Sequence, residues 1–580
     1  MGYEHFDAAV YCTVGDLSNL AMEDLARKFD FLEKHIKISK VYLETYRSHE
    51  TIDRDKMAVI KEFFIARGIA ASGGITATAD KPGSGWGLAT SGATFGLEGK
   101  GFESFCYTDG EHRAFLRSIV EMTAGLFDEF ILDDFFFTDC KCPSCIEAKG
   151  ERTWAEFRLE LMKEAAEELV LKPAKAVNPG VNVIIKYPNW YEYHQETGYN
   201  LQAGPSQFPM IYTGTETRDA VHTQQHLPRY LSYFIMRYLE NAAPGRNGGG
   251  WFDCFDCSLQ DYAEQACLTV FSKAGEVTLF ALGALTADGC AGYVPVAGYV
   301  FDRLDRWIGE TGNPVGAACY KPYHSTGEEY LHDYIGMLGI PLEPAPEYPE
   351  ESASIFLTES AAADPSIVDK IKESLQKGAT VTITSGLLRA LQGKGIESIA
   401  NIQYTDRKAA VDRFAYETHW CGFRHYCRGD RAVIVPQLNY ATNDAWQIAV
   451  ALGEDNNFPI LLQARYGTGT LFVLTVPEDF GDLYHYPREV LHLLRRAIAG
   501  DLCVLLDAPA KVGLFTYDND TFVAESFLPH RQDVKIIVNR PHARLKELAS
   551  GEISEGEPDG NSTAFTLSMA AETYLAYKIL

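Results

Sequence analysis

The chain has 580 residues, 46% hydrophobic and 23% charged, the composition of a globular protein too long for one core, so two to four domains are expected. Its formal charge of −27 excludes nucleic acid and anionic membrane as expected partners, because both require a basic face. There is no eighteen-residue apolar run and no basic-then-apolar leader, and thirteen scattered cysteines do not form a disulfide pattern, so the expected location is cytoplasmic.

Over residues 1–318 short β-rich runs alternate with helical patterns, which reads as a series of βα units. Candidate strands lie at 8–13, 40–45, 69–73, 129–134, 181–187, 210–214, 250–255 and 276–282. Eight is the number that closes a (β/α)8 TIM barrel. Helices fit between them at 55–67, at 110–124 with Phe115, Ile119 and Met122 on one face, and at 153–171 with Trp154, Phe157, Leu161 and Leu169.

A barrel of this kind takes its chemistry from the C-terminal ends of its strands. The fourth run ends in two adjacent carboxylates, Asp133 and Asp134, followed by Cys140, Cys142 and Cys145 in C-x-C-x-x-C spacing. The other strand ends supply Glu44, Asn189 with Trp190, Glu216 with Asp219, and Asp253 with Asp256. Trp86, Trp190 and Trp251 lie in or beside the same loops. Acids interleaved with aromatic rings suit a sugar, whose hydroxyls meet carboxylates while its C–H faces stack on rings. The run Gly248-Gly249-Gly250 allows close backbone approach and is a weak phosphate-loop signal, with no Lys-Ser/Thr behind it.

After about residue 314 the pattern changes. Strand-like runs at 354–358, 379–384 and 469–477, with helices at 365–377 and 488–499, indicate a second α/β domain with an open parallel sheet, at 319–505. From there short alternating runs at 511–516, 521–526, 534–538 and 563–567 indicate a small all-β sandwich domain, at 506–580.

Cys106 precedes the 110–124 helix, and with Cys140, Cys142 and Cys145 makes four thiolates, enough for a closed tetrahedral metal site. This layout resembles glycoside hydrolase family 42, clan A type β-galactosidases with a barrel, a flavodoxin-like α/β trimerisation domain and a small C-terminal β domain. At residue level the resemblance is concentrated in Cys106–Cys145. It implies a structural zinc on the four cysteines, no catalytic cofactor, a carbohydrate substrate and a homotrimer. The family's acid/base falls on Asp134, with Asp133 in place of the preceding Asn, and its nucleophile falls on Asp253 in Trp251-Phe252-Asp253. Both family glutamates are aspartates here, a departure from the β-galactosidase pattern.

The expected function is therefore glycoside hydrolysis by paired carboxylates, with Asp134 as acid and Asp253 as base or nucleophile. Asp133, Glu44, Asn189, Trp190, Glu216, Trp251 and Asp256 are expected to bind the sugar. The shorter Asp side chains would widen the carboxyl gap and favour inversion. The alternatives are an α-glycosidase using Asp134 and Glu216, a divalent-metal sugar isomerase or lyase, and a carbohydrate-binding relative without catalysis.

Overall fold

The computed structural model describes residues 2–48, 50–79, 103–133, 136–223, 225–417, 424–454 and 456–580. Trp86 and Asp134 fall outside the described residues. The chain divides into two compact units, Met1–Ile308 and Gly309–Leu580. No helix of the described residues is long and apolar enough to cross a membrane.

The first unit is a closed parallel barrel of strands β1 Asp7–Cys12, β2 Lys40–Arg47, β3 Ala70–Ile75, β4 Glu129–Leu132, β5 Asn182–Tyr187, β6 Met210–Gly214, β7 Asn247–Asp253 and β8 Glu276–Phe280. Each strand pairs in parallel with the next, and β8 returns to β1. All eight expected strands are present, because strands buried on both faces carry apolar runs that stand out from the intervening helices. The glycine run lies inside β7. A Cβ on Gly249 would stand 2.2 Å from the Glu276 carbonyl oxygen, so β7 and β8 approach each other only because no side chain is there.

The barrel is filled by side chains that point inward from alternate positions: Tyr11, Tyr42, Ile131, Ile184, Tyr212 and Trp251. The surrounding helices begin at legible caps. Asp53 and Asp109 accept from the first-turn amides of Arg54–Ile65 and Gly110–Ala124, and Thr153 with Glu156 forms a capping box on Trp154–Ala165. The expected single helix at 153–171 instead widens into a π-helical stretch, Ala166–Leu171, before Lys172–Val177. Pro173 follows directly; it has no N–H, and its ring crowds the carbonyl four residues back.

The second unit contains a nine-stranded mixed sheet and a β-sandwich. Its first strand, β9 Pro314–Val315, pairs antiparallel with Val512–Tyr517 of the sandwich. Next come β10 Ala317–Tyr320, β11 Leu342–Ala345, β12 Ser354–Leu357 and β13 Thr380–Thr384. Then follow β14 Ile402–Glu417, β15 Arg424–Tyr440, β16 Ala445–Leu452, β17 Asn457–Tyr466 and β18 Gly469–Leu474. The five parallel strands lie in the order β11-β10-β12-β13-β18, the 2-1-3-4-5 order of flavodoxin-like sheets.

The open parallel sheet expected here is half of what forms. Strands β17, β16, β14 and β15 extend it as an antiparallel wing. That wing escaped the sequence reading because Asp406, Arg407, Lys408, Arg428, Asp430 and Arg431 face solvent and break its apolar alternation. The C-terminal sandwich packs a six-stranded and a four-stranded sheet around Leu506, Val512, Leu514, Phe522, Ile536 and Phe565. The expected boundary at 505/506 falls within the strand Val504–Asp507, whose residues belong to the sandwich.

Candidate active site

The C-terminal ends of β2 to β7 bring a ring of buried charges together. Glu44 in β2 is fully buried and accepts from the Tyr11 hydroxyl at 2.8 Å, the Val14 amide at 2.8 Å, the Thr76 hydroxyl, and Arg47 Nε at 3.0 Å. Arg47 also reaches Asp133 after β4, with Nη2 2.7 Å from Oδ2, while the Thr76 hydroxyl lies 3.0 Å from the same oxygen. Burial opposes the charge on Arg47, but Glu44 and Asp133 hold it protonated, well above its ordinary value.

Lys186 in β5 links the two sides of the ring. Its ammonium donates to Glu216 Oε1 at 2.8 Å, stands 3.8 Å from Asp133 Oδ1 and lies 4.3 Å above the Trp251 ring. Past β6, Arg218 grips Asp253 with both prongs of its guanidinium, Nε to Oδ1 at 3.0 Å and Nη2 to Oδ2 at 2.6 Å. The Phe255 amide adds a third donor to Asp253. The described ring thus holds four acids (Glu44, Asp133, Glu216, Asp253) against three cations (Arg47, Lys186, Arg218).

Glu216 sits between the Lys186 ammonium and the charge of Asp253. Burial raises its pKa above the usual carboxylate range, Lys186 opposes the rise, and Asp253 adds to it. Burial and a neighbouring carboxylate both favour the neutral form of a carboxyl.

The remaining candidates divide clearly. Asn189 is buried behind Glu216, with its Nδ2 donating to the Glu216 carbonyl and, at 3.2 Å, to Gln225 Oε1. Trp190 is half-buried, edge-on to Phe137 and Tyr199 at centroid distances of 5.7 and 5.4 Å. Trp251 is corrected from a sugar platform to a core residue: it is 2% exposed, packed on Tyr11 and Phe280 and covered by Lys186. Asp256 is exposed on a left-handed turn after β7, outside the ring of ion pairs. Asp219 caps the following turn through the Val221 and His222 amides and pairs with the His222 ring at 2.6 Å. Sequence reasoning missed Arg47, Lys186 and Arg218. Lys186 alone left a signal, as a charge within the apolar strand Val183-Ile184-Ile185-Lys186.

The four cysteines converge as expected. Cys106, Cys140 and Cys145 are buried, Cys142 is partly exposed, and their sulfurs all lie within 4.8 Å of one another. Cys106 Sγ is 3.5 Å from Cys142 Sγ and 3.6 Å from Cys145 Sγ. Four sulfurs about 2.3 Å from one tetrahedral zinc would stand about 3.8 Å apart, so the cluster could hold a metal ion with little adjustment. Cys142 stands at the N-cap position of the short helix Pro143–Lys149 and Cys145 lies within it, so the local spacing is set by one helical turn. Among the described residues this is the one group of three or more His, Cys, Asp or Glu side chains arranged to hold an ion.

Comparison with known proteins agrees with this architecture. The chain is 26% identical over 537 residues to uncharacterized protein SSO3021 of Saccharolobus solfataricus, with 86% of each chain covered. The second domain of that protein defines a family that matches residues 312–479, and a family described as probable glycosyl hydrolase, C-terminal domain, matches 503–579. Among solved structures, the β-galactosidase from Bacillus circulans sp. alkalophilus superposes with a TM-score of 0.63 at 11% identity, covering 100% of both chains. Gan42B, a GH42 β-galactosidase, gives 0.64 at 11% identity, covering 100% of this chain and 99% of that one. The β-galactosidase from Rahnella sp. R3 gives 0.65 at 10% identity, covering 99% and 98%. The expected likeness to glycoside hydrolase family 42 thus holds for the fold. The profile of the probable glycosyl hydrolase catalytic domain matches residues 1–305, the whole barrel and more than half of the sequence, and this chain belongs to that family.

Proposed function

We propose that the barrel mouth hydrolyses a glycosidic bond, with Glu216 as proton donor and Asp134 as the partner carboxylate. This is the pairing set out above as the α-glycosidase alternative. The observation that carries it is the setting of Glu216: a carboxyl buried at the barrel mouth, held by Lys186, whose pKa burial and the charge of Asp253 raise. Cleavage needs one protonated carboxyl at the leaving oxygen and one ionised carboxylate at the anomeric centre or its water. Asp253 suits the ionised role less well, because Arg218 engages both of its oxygens. In this reading burial, and after it the charge of Asp253, raise the proton affinity of Glu216, and Asp133, tied to Arg47 and Thr76, orients the end of β4.

The carboxylates of the ring are matched by Arg47, Lys186 and Arg218 and not left as a set of free oxygen ligands, which weighs against divalent-metal chemistry at the mouth. Cys106, Cys140, Cys142 and Cys145 would hold a structural zinc. With four thiolates and no open position, that ion would tie the segment after β4 to the one before the Gly110–Ala124 helix.

A panel of aryl glycosides tests the activity, and Glu216→Gln, Asp134→Asn and Asp253→Asn test the roles. Glu216→Gln and Asp134→Asn should each lower kcat/KM by about 10²–10⁴-fold. If Asp253→Asn alone abolishes turnover and Glu216→Gln does not, the pairing expected from family positions replaces this one. Proton NMR of the first-formed product then reads retention or inversion directly. The resemblance to trimeric relatives also predicts a cyclic homotrimer, and a monomer in sedimentation at micromolar concentration would overturn it.

A further inference from the structure

We infer that the second unit carries a saccharide-binding site of its own, in the crevice at the C-terminal edge of its parallel strands. In open α/β sheets this edge is where ligands bind, since the loops that follow the strands diverge there. The crevice has a volume of about 300 Å³, at the lower end of small-molecule pockets. Its walls come from the residues that follow three strands: Glu359 after β12, Ser385 and Gly386 after β13, and Glu478 after β18.

The floor is Glu328, a buried carboxyl at a left-handed backbone position with φ 52°. It accepts from the Thr384 hydroxyl at 2.6 Å, the Glu359 amide at 2.8 Å and the Gly386 amide at 3.1 Å. A Cβ on Gly386 would stand 2.2 Å from Glu328 Oε1, so the glycine is what admits the carboxyl. Backbone held in this region is costly for a residue with a side chain, and such strain gathers at binding sites. Burial pushes the Glu328 pKa up to about 7, so its charge at neutral pH is reduced.

The charges of the crevice select the ligand. Arg389 Nη2 lies 3.0 Å from Glu359 Oε1, and Lys408 pairs with Glu478, so both lining cations are already matched. Without Glu328, the lining still sets Glu329, Glu359 and Glu478 against Arg389 and Lys408, and a phosphate or nucleotide would meet more acid than base. A neutral polyol fits: its hydroxyls donate to the carboxylates and accept from Arg389 and Lys408, and Tyr404 and Phe480 offer ring surface to its C–H face. The inference goes beyond the glycosidase reading and does not depend on hydrolysis.

The test is calorimetric titration of the full chain with glucose, galactose, mannose, xylose and their β-1,4-linked disaccharides. Two variants are compared with wild type: Arg389→Met combined with Lys408→Met, both at half-exposed rim positions, and Gly386→Ala on the floor. At least one sugar should bind about tenfold or more weakly in both variants, while turnover of aryl glycosides by the barrel stays at the wild-type level. Identical sugar binding in wild type and both variants overturns the inference. So does binding of spermidine, calcium or inorganic phosphate that the variants abolish when no sugar binding changes. Absence of all glycoside turnover would count against the barrel reading alone.

Discussion

The two ends of the barrel both bury charge, and their acids are set up in opposite ways. At the N-terminal end Lys40 lies 2.5 Å from Glu129 and 3.4 Å from Glu276. Every oxygen of Glu129 has a donor: Ser72 at 2.6 Å on one and Asn182 at 2.7 Å on the other. The Tyr42 and Tyr212 hydroxyls donate to Glu276 at 2.6 and 3.0 Å. Burial pushes Glu129 up, but Lys40 and these hydrogen bonds outweigh it, and its pKa lies below the ordinary value. At the C-terminal end Glu216 has Lys186 on one oxygen, faces Asp253, and its pKa lies above the ordinary value. Burial alone therefore does not make a proton donor; what decides is whether hydrogen-bond donors or other acids surround the carboxyl. A barrel's two ends diverge in this way when one serves stability and the other serves chemistry.

The largest expected effect breaks this contrast by exchanging roles. Glu216→Gln should remove about 10²–10⁴-fold of kcat/KM with little change in the urea midpoint, while Glu129→Gln should leave turnover near wild type. Comparable loss of activity in both variants would mean that the N-terminal network is not merely structural.

The cysteine cluster sharpens the contrast, because it lies beyond β4 at the C-terminal end of the barrel and yet should act on stability. Zinc on the four cysteines is predicted to contribute about 4 kcal/mol and about 10 °C of Tm, read by calorimetry with metal analysis before and after a strong chelator. An unchanged Tm after complete removal of the ion would show that the loop holds itself.

At the N-terminal end, Lys40→Met strands two acids around a missing cation. Because the Lys40 side chain is largely buried, this should cost about 2–4 kcal/mol by urea unfolding and leave KM unchanged.

A smaller effect is visible in the pH dependence of stability. Glu129 is held below the ordinary glutamate value, so its contribution, measured against Glu129→Gln, is present above that value and is lost as pH falls through the folded one. Glu216 is raised, so its contribution against Glu216→Gln is present at low pH and is lost as pH rises through its folded value. Equal signs for the two differences would contradict the contrast. The smallest effect is expected at Asp256, exposed outside the ring, where Asp256→Ala should change kcat/KM by less than about twofold.

The barrel was legible because each strand advertises itself locally. Runs such as Phe130-Ile131-Leu132 and Val183-Ile184-Ile185 are buried on both faces, and Asp109 or Thr153 marks where the next helix begins. The metal cluster was legible for a similar reason, since Cys142 and Cys145 are one helical turn apart. The antiparallel wing of the second unit was not, because a solvent-facing strand rich in Arg, Lys and Asp has no apolar period to read.

For the candidate site, sequence alone determined which strand ends bear acids: Glu44, Asp133, Asp134, Glu216 and Asp253. Tertiary structure decided which described acids are tied down and which has its proton affinity raised. Arg47 meets Asp133 across 86 positions of chain, Lys186 meets Glu216 across 30, and Arg218 meets Asp253 across 35. Trp251 passed from platform to core by the same closure, once Tyr11, Phe280 and Lys186 arrived around its ring. A strand's burial is a property of neighbouring residues and can be read from them. A carboxyl's proton affinity is a sum over charges that meet only when distant strands close into one barrel.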